Sequence, residues 1–290
     1  MITVARGAAH PASVLDDLGR AVSLTCAPTR IVSLVPSVTE LLFALGGGAW
    51  VVGATSFCVE PAAARCVTRV GGPKTPDIAA IRGLHPDIVL ASVEENRKED
   101  VDALTAVGVP VYVAFPRTVE AGICLVRTVG VLLGREEEAA ALARRLEAAR
   151  AAVVADAALG PRPRVFCPIW KGPWMTFNGD TFAHDMLATA GGENVFAALT
   201  EHYPVVDAAM VVSRRPEVIL LPSEPYLFGR RDLPDLRQLL GATAGPRARV
   251  RFIDGRALTW YGARIDWGLR LLRVQLGSRG TEREAEEVVW

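Results

Sequence analysis

One long helical segment in the middle of the chain constrains the fold more than any other feature. Residues 135–159 are almost continuously Ala, Glu, Arg and Leu, with no Gly or Pro among them. These are strong helix formers, and about 24 residues at about 1.5 Å each give a rod of roughly 36 Å. Gly160 and Pro161 end it. Because β/α sequence lies on both sides, the segment predicts a helix that joins two lobes.

Short apolar runs alternate with helical patterns along the rest of the chain, which predicts an α/β fold. Strands separated by helices pair in parallel through right-handed crossovers. The first strand, 30–35, leads into a helix over 40–45 for which Ser37 is the expected cap. The other predicted strands are 51–54, 87–91, 109–114, 164–168, 217–221 and 250–253.

A weak internal repeat also indicates two lobes. The segment LHPDIVLAS at 84–92 resembles RRPEVILLPS at 214–223. Each follows a strand that begins with Arg, at an interval of 56 residues from Arg30 to Pro86 and 52 residues from Arg164 to Pro216. Two similar α/β lobes are expected to face each other across a cleft, which is a common place for a ligand.

Composition excludes several classes of protein. Half of the residues are hydrophobic and 22% are charged, so the chain can bury a core and is not disordered. The 32 basic residues balance the 32 acidic ones, which leaves no net charge to attract nucleic acid. No run approaches the ~20 apolar residues of a membrane span. We expect a monomer that neither binds nucleic acid nor spans a membrane.

The start of the chain and its cysteines favour the cytoplasm. The opening MITVARGAAHPASVLDDLGR lacks the apolar core of a secretion signal. Five cysteines with no C-x-x-C pair fit a reducing compartment better than a disulfide framework. The sequence therefore predicts a cytoplasmic protein. A trimmed or misassigned start would make it periplasmic or surface-exposed instead.

The sequence carries no common catalytic motif. It contains no G-x-S-x-G, Walker, G-x-G-x-x-G or H-E-x-x-H pattern. His202 and Cys58 are weak candidates for metal ligands, and a small buried thiol is the more ordinary role for Cys58. We therefore expect a protein that is not an enzyme and requires no cofactor.

Large aromatic residues lie mostly in the loops that follow predicted strands, whereas core packing alone would place them inside strands and helices. The segments WKGPW at 170–174 and LTWYGAR at 258–264 combine them with glycine and a cation. Such loops suit a large, flat, partly polar ligand. The cations that could pair with an anionic group, or simply be solvated, are Lys74, Arg117, Lys171 and Arg264. The aromatic residues are Phe57, Phe115, Trp170, Trp174, Phe177, Tyr203, Tyr226, Phe228, Trp260 and Tyr261.

Several segments resemble class III solute-binding proteins. They are DDLGR at 16–20, RIVSLVPSVTE at 30–40, VGATSF at 52–57, GGP at 71–73 and PDIV at 86–89, together with the long helix. The resemblance runs from about residue 14 to residue 277. Such proteins serve ABC importers for cobalamin, haem and iron–siderophores. The resemblance implies two Rossmann-like α/β lobes with parallel sheets, joined by one rigid helix, with a ligand cleft between them.

Within this family the cobalamin-binding branch is the most similar. The segments GGENVF at 191–196 and HYP at 202–204 match it, and an aromatic at the Tyr203 position packs against the corrin in that branch. The haem branch supplies an axial Tyr or His, where this chain offers Phe57 and Cys58. The resemblance therefore implies non-catalytic binding of a tetrapyrrole or metal chelate, above all cobalamin. Haem or a ferric chelate is the first alternative, and the second is an enzyme acting on a corrinoid with Cys58, His202 or Glu95 recruited.

The resemblance also implies domain boundaries and a set of ligand-binding residues. A leader and hairpin take up 1–28, the lobes 29–118 and 161–278, the connecting helices 119–160, and a tail 279–290. The predicted ligand-binding residues are Ser37, Phe57, Cys58, Pro73, Lys74, Glu95, Phe115, Arg117, Trp170, Trp174, Phe177, Tyr203, Glu224, Tyr226, Phe228, Trp260, Tyr261 and Arg264.

Two positions differ from family members that dock on an ABC permease. Those members offer one glutamate per lobe to arginines of the transporter. The matching positions here are Ala79 and Ala209, and the nearest acids are Asp77 and Asp207. We therefore expect docking on a permease to lack this pair of charges. A conventional importer component remains the rival interpretation.

Overall fold

The computed structural model describes residues 11–241 and 248–277, which fall into two compact units. The first unit comprises 11–116, 120–145 and 261–263, and the second comprises 117–119, 146–241, 248–260 and 264–277. The predicted tail, 279–290, and the first ten residues of the predicted leader lie outside the described residues. The domain boundaries inferred from the resemblance stay a prediction.

The first unit is built on a parallel sheet. Its sheet has the order β5-β4-β3-β8-β9 with every pair parallel, while β1–β2 and β6–β7 are antiparallel hairpins. Strand β8, which lies between β3 and β9, is buried along its length, as expected of a strand covered on both faces. In chain order, these elements and the intervening helices are β1 (Ala12–Leu15), β2 (Ala21–Leu24), β3 (Ile31–Ser33), α1 (Pro36–Ala44), β4 (Val51–Ala54), β5 (Thr68–Arg69), β6 (Gly71–Gly72), β7 (Thr75–Pro76), α2 (Ile78–Gly83), β8 (Ile88–Ser92), α3 (Lys98–Ala106) and β9 (Val111–Ala114), with 3₁₀ turns at Gly48–Trp50 and Ala62–Cys66.

Two helices follow, α4 (Val119–Leu133) and α5 (Glu136–Ala157). Gly134, in the left-handed region with φ of 64°, separates them. The 22 residues of α5 begin in the first unit and end in the second, which confirms the long helix. It ends two residues before the predicted boundary, because the amides of Leu159 and Gly160 bond three residues back in a turn.

The second unit holds a four-stranded sheet in the order β11-β10-β12-β13, with every pair parallel. Its strand β12 is buried throughout, like β8 in the first unit. The two parallel sheets confirm the predicted α/β class, whereas a cleft between lobes stays a prediction. The elements are β10 (Arg164–Phe166), α6 (Phe182–Thr189), β11 (Glu193–Asn194), α7 (Ala208–Ser213), β12 (Val218–Pro222), a 3₁₀ turn at Arg230–Asp232, α8 (Leu233–Leu240), β13 (Arg249–Ile253), α9 (Arg256–Thr259) and α10 (Ile265–Leu276).

The first helix begins earlier than predicted, and Ser37 does not cap it. The N-cap is Val35, no side chain bonds the first turn, and Pro36 occupies the first position. Proline suits that position because the N–H it lacks would have no partner there. Ser37 lies inside the first turn and is 2% exposed. Strand β9 likewise begins two residues after its predicted start, because Pro110 has no N–H for the ladder.

The internal repeat is visible where the central strands of each sheet begin. The guanidinium of Arg30 donates to the Leu84 carbonyl at 2.8 and 2.6 Å, and that of Arg164 donates to the Arg214 carbonyl at 3.0 and 2.7 Å. Each arginine therefore closes the end of the helix that precedes the next central strand. We call this side of each sheet the amino edge and the opposite side the carboxyl edge.

Candidate functional site

Four aromatic side chains of the second unit form one connected group at the carboxyl edge. Trp170 and Trp174 follow β10, and Tyr226 and Phe228 follow β12. Ring centroids lie 5.6 Å apart for Trp170–Tyr226, 4.6 Å for Tyr226–Phe228 and 5.9 Å for Trp174–Phe228. Trp170 is 43% exposed. We call these four residues the aromatic cluster. All four belong to the predicted site, and the structure brings them together although they lie up to 58 positions apart in the sequence.

A partly buried group of ion pairs joins the two loops of the aromatic cluster. Lys171 Nζ lies 2.7 Å from Asp232 Oδ1 and 2.5 Å from Asp235 Oδ2. The same Asp232 accepts from the Tyr226 hydroxyl at 3.2 Å and from the Gly229 amide at 2.9 Å. Burial alone would raise the pKa of Asp232, but these donors hold it below its ordinary value. The hydrogen bond to Asp232 raises the pKa of Lys171, so the lysine stays charged.

Glu224, two residues before Tyr226 in the chain, is hydrogen-bonded to Trp260. Glu224 Oε1 accepts from Thr259 Oγ1 at 2.7 Å and from Trp260 Nε1 at 2.9 Å. Burial raises the pKa of the Glu224 carboxyl. Trp260 is only 7% exposed, and the Arg264 guanidinium lies 5.1 Å from its ring centroid. Trp260 therefore orients Glu224 and offers little surface of its own.

Tyr203 borders a charged group in the second unit. Its ring lies 6.4 Å from that of His202, edge to face, and it is 36% exposed. His202 Nε2 lies 3.3 Å from Asp180 Oδ2, and the same oxygen accepts from Arg117 at 2.6 Å. Asp180 thus links a residue of the predicted site, Arg117, to the loop that carries Tyr203.

Five predicted site residues lie in exposed or half-buried loops of the first unit. Phe57, after β4, is 64% exposed, and Phe115, after β9, is half-buried. The turn between β6 and β7 carries Pro73 and Lys74 and is bonded to the loop after β8 that carries Glu95. In that contact Lys74 Nζ donates to the Glu94 carbonyl at 2.8 Å, and the Asn96 amide donates to the Pro73 carbonyl at 3.0 Å.

The remaining predicted site residues are buried. Cys58 is 0% exposed and bonds Thr55 at 3.2 Å, while Phe177 is 1% and Tyr261 6% exposed. Burial raises the pKa of Cys58, which is therefore a neutral thiol. Ser37 is buried as well. Ligand contacts for these four stay predictions that require their side chains to become exposed.

The cations of the predicted site have partners within the protein. Lys171 and Arg117 pair with carboxylates, Lys74 donates to a carbonyl, and Arg264 lies over the rings of Trp260 and Trp267. A role for them toward an anionic group stays a prediction. In residues 11–241 and 248–277, no group of three His, Cys, Asp or Glu side chains is placed to hold a metal ion, and no helix could cross a membrane.

Two acids that support the site are absent from the predicted set. Asp232 pairs with a lysine 61 positions away, and no local pattern in the sequence signals that contact. Asp17 Oδ2 accepts from the Phe115 amide at 2.6 Å, across 98 positions. The DDLGR segment at 16–20 was part of the family resemblance, and it gave no signal for the contact of Asp17 with Phe115.

Comparison with known proteins gives consistent matches. The profile of a family described as "Periplasmic binding protein" matches residues 31–231. The Vitamin B12-binding protein of Salmonella typhimurium is 32% identical over 195 residues, which cover 67% of this chain and 73% of that protein.

Solved structures match in fold. The periplasmic vitamin B12 binding protein of Vibrio cholerae superposes with a TM-score of 0.74 at 20% identity, covering 86% of this chain and 96% of that one. The periplasmic haem-binding protein of Roseiflexus sp. RS-1, in its apo form, gives a TM-score of 0.75 at 26% identity, covering 85% and 97%. Both share the two-lobed α/β fold.

Proposed function

This chain belongs to the periplasmic binding protein family, and from that premise we propose that it binds a cobalamin without breaking any of its bonds. The family and the relatives of known name are solute-binding proteins, so recognition of a small molecule is the activity that the chain inherits. A relative of 32% identity is named a vitamin B12-binding protein, which favours a corrinoid among the possible ligands.

The aromatic cluster is the observation that carries the proposal. Its rings come from two loops at one sheet edge and touch in sequence from Trp170 to Trp174 through Tyr226 and Phe228. Aromatic faces and edges suit the apolar surface of a flat macrocycle. The Lys171–Asp232 pair holds the loops in place before the ligand arrives, which lowers the entropy cost of binding.

Haem is the second candidate ligand, because the neighbour of 26% identity is a haem-binding protein. The residues at hand favour it less. No His or Tyr occupies the loop of Phe57 and Cys58, and Lys171 and Arg117, which could pair with propionates, are held by Asp232 and Asp180.

The location that we propose is the periplasm, in place of the cytoplasm that the first residues and the cysteines favoured. The family description and the solved neighbours are periplasmic, and this favours the alternative location. We propose a monomer whose docking on a permease lacks the usual pair of glutamates. Ala79 and Ala209 are exposed at matching positions of α2 and α7. Asp77 and Asp207 accept from the amides of Ala80 and Met210 as helix caps.

Titration of the purified protein with cyanocobalamin tests the proposal. We expect saturable binding of one molecule per chain, with quenching of tryptophan fluorescence because Trp170 and Trp174 lie in the aromatic cluster. Hemin is the competitor in a parallel titration. Saturable binding of hemin with no binding of cyanocobalamin would overturn the assignment of the ligand.

A further inference from the structure

Among residues 11–241 and 248–277, no cation contacts the Glu224 carboxylate directly. Its Oε1 accepts from Thr259 and Trp260 at 2.7 and 2.9 Å, and the carboxylate has no further hydrogen-bond or ion-pair partner among the described residues. The side chain is partly buried in the loop that carries Tyr226 and Phe228. One carboxylate oxygen is therefore left to accept a hydrogen bond from a ligand.

The cations nearest in the fold are committed elsewhere. Arg256 contacts Asp254 through Nε at 2.9 Å and Nη2 at 2.5 Å, and Lys171 is shared by Asp232 and Asp235. Arg117 is bound by Asp180 at 2.6 Å. The carboxyl edge of the second unit thus offers its aromatic surface together with an acceptor, and these three cations are already paired with other carboxylates.

We infer that Glu224 determines the ligand class, selecting a macrocycle fringed with neutral amides over one fringed with carboxylates. This inference rests on the proposed function. An amide N–H of the ligand can donate to the free oxygen of Glu224, which is a charge-assisted hydrogen bond. A carboxylate at the same place would bring two like charges together in a partly desolvated site, which disfavours the wrong ligand strongly.

Cyanocobalamin and its monocarboxylic acids test the inference, because each acid differs from the parent by one side-chain amide. We expect the protein to bind at least one isomer about tenfold or more weakly than cyanocobalamin. Glu224→Gln keeps an oxygen that accepts from Thr259 and Trp260 but removes the charge. We expect this variant to lower the ratio of the affinity for cyanocobalamin to the affinity for that isomer at least about fivefold. Glu224→Asp, which keeps the charge, should retain most of the discrimination.

The control is Glu217→Gln, which removes a carboxylate of the same unit at the amino edge, where Glu217 accepts from the Arg164 amide at 2.8 Å. This variant should leave the ratio of the affinities for cyanocobalamin and its monocarboxylic acid unchanged. Equal ratios for the unaltered protein and Glu224→Gln with every isomer, while cyanocobalamin still binds, would overturn the inference and leave the proposed function standing. Failure of the unaltered protein to bind cyanocobalamin would overturn both. Urea unfolding of each variant shows that the ratios come from folded protein.

Discussion

The two units are alike at their amino edges and different at their carboxyl edges. At the amino edge, Arg30 and Arg164 each donate to the carbonyl that ends a helix, and their amides bond Asp87 and Glu217 at 2.9 and 2.8 Å. His85 and Arg215, just before the prolines of the repeat, share the same left-handed φ of 45°. At the carboxyl edge, the second unit has the aromatic cluster, whereas the first carries the 64% exposed Phe57 and the half-buried Phe115.

This contrast separates the residues that build the fold from those that give it a function. The amino-edge contacts join helix ends to strand starts, and such contacts are needed wherever a β-α-β unit is built. Ligands of parallel sheets bind at the carboxyl ends of the strands, so the loops there can differ between the two units according to the ligand that each contacts. The second unit is therefore expected to supply most of the binding energy.

The largest expected effect is the loss of Asp232. Asp232→Ala removes the partner of Lys171, Tyr226 and the Gly229 amide, so we expect the free energy of unfolding to fall by about 2–3 kcal/mol. Binding of cyanocobalamin should weaken too, because the aromatic cluster loses its support. Urea unfolding measures the free energy of unfolding, and titration measures the affinity for cyanocobalamin. Asp180→Ala, at an exposed ion pair, is the control and should cost less than about 1 kcal/mol. Equal costs for the two variants would refute the role given to Asp232.

Removal of one aromatic ring from each unit compares the two carboxyl edges directly. Trp174→Ala should weaken cyanocobalamin binding by about 1–3 kcal/mol, as for other anchors that are largely buried in an interface. Phe57→Ala should cost less, since the Phe57 side chain is 64% exposed. Calorimetric titration of both variants gives the difference. A larger loss for Phe57→Ala would place the main anchor in the first unit and contradict the contrast.

The amino edges should respond alike in the two units. Arg30→Met and Arg164→Met each remove the donors to one helix-ending carbonyl, so each should lower the free energy of unfolding by about 1 kcal/mol. Neither residue belongs to the predicted site, and cyanocobalamin affinity should stay the same. If either variant weakened binding in its folded state, the separation of the two edges would fail.

Docking on a permease gives a further comparison of matched positions. Ala79→Glu and Ala209→Glu place acids at the second residue of α2 and α7. The double variant should associate more strongly than the unaltered protein with a reconstituted cobalamin permease, and the gain should shrink at high salt. Tight, salt-sensitive association of the unaltered protein would show that Asp77, Asp207 or other acids already provide the charges for docking on the permease.

The smallest expected effect is a difference in pH dependence between two acids of one edge. Burial raises the pKa of Glu224, so its contribution to stability is full below the ordinary glutamate pKa and is lost as pH rises through the raised value. The pKa of Asp232 is lowered, so its contribution is present above the ordinary value and lost as pH falls. Urea unfolding from acid to neutral pH should show the unaltered protein losing stability relative to Glu224→Gln as pH rises above about 4.3. Parallel curves would contradict this.

Local patterns in the sequence sufficed for much of the fold. The apolar run at 217–221 lies within one residue of β12, and the Ala/Glu/Arg/Leu segment contains α5. Strand β11 escaped prediction because it has only two residues, Glu193 and Asn194, both polar, and so forms no apolar run. Ser37 was misassigned as a cap because Pro36 starts the helix before it.

The site was harder to predict because its contacts join distant segments. The positions of Trp170, Trp174, Tyr226 and Phe228 after strands were apparent, but their mutual contact depends on the parallel pairing of β10 and β12. Lys171 was a cation that could pair with an anionic group or be solvated, and its pairing with two aspartates depends on segments that are distant in the sequence.

A crystal structure of the protein with cyanocobalamin tests the central claim most directly. We predict that the corrin lies against the carboxyl-edge loops, in contact with Trp174 and Tyr226, and that Arg30 and Arg164 at the amino edges are untouched. A corrin bound at an amino edge, or bound without any contact to the aromatic cluster, would contradict the account.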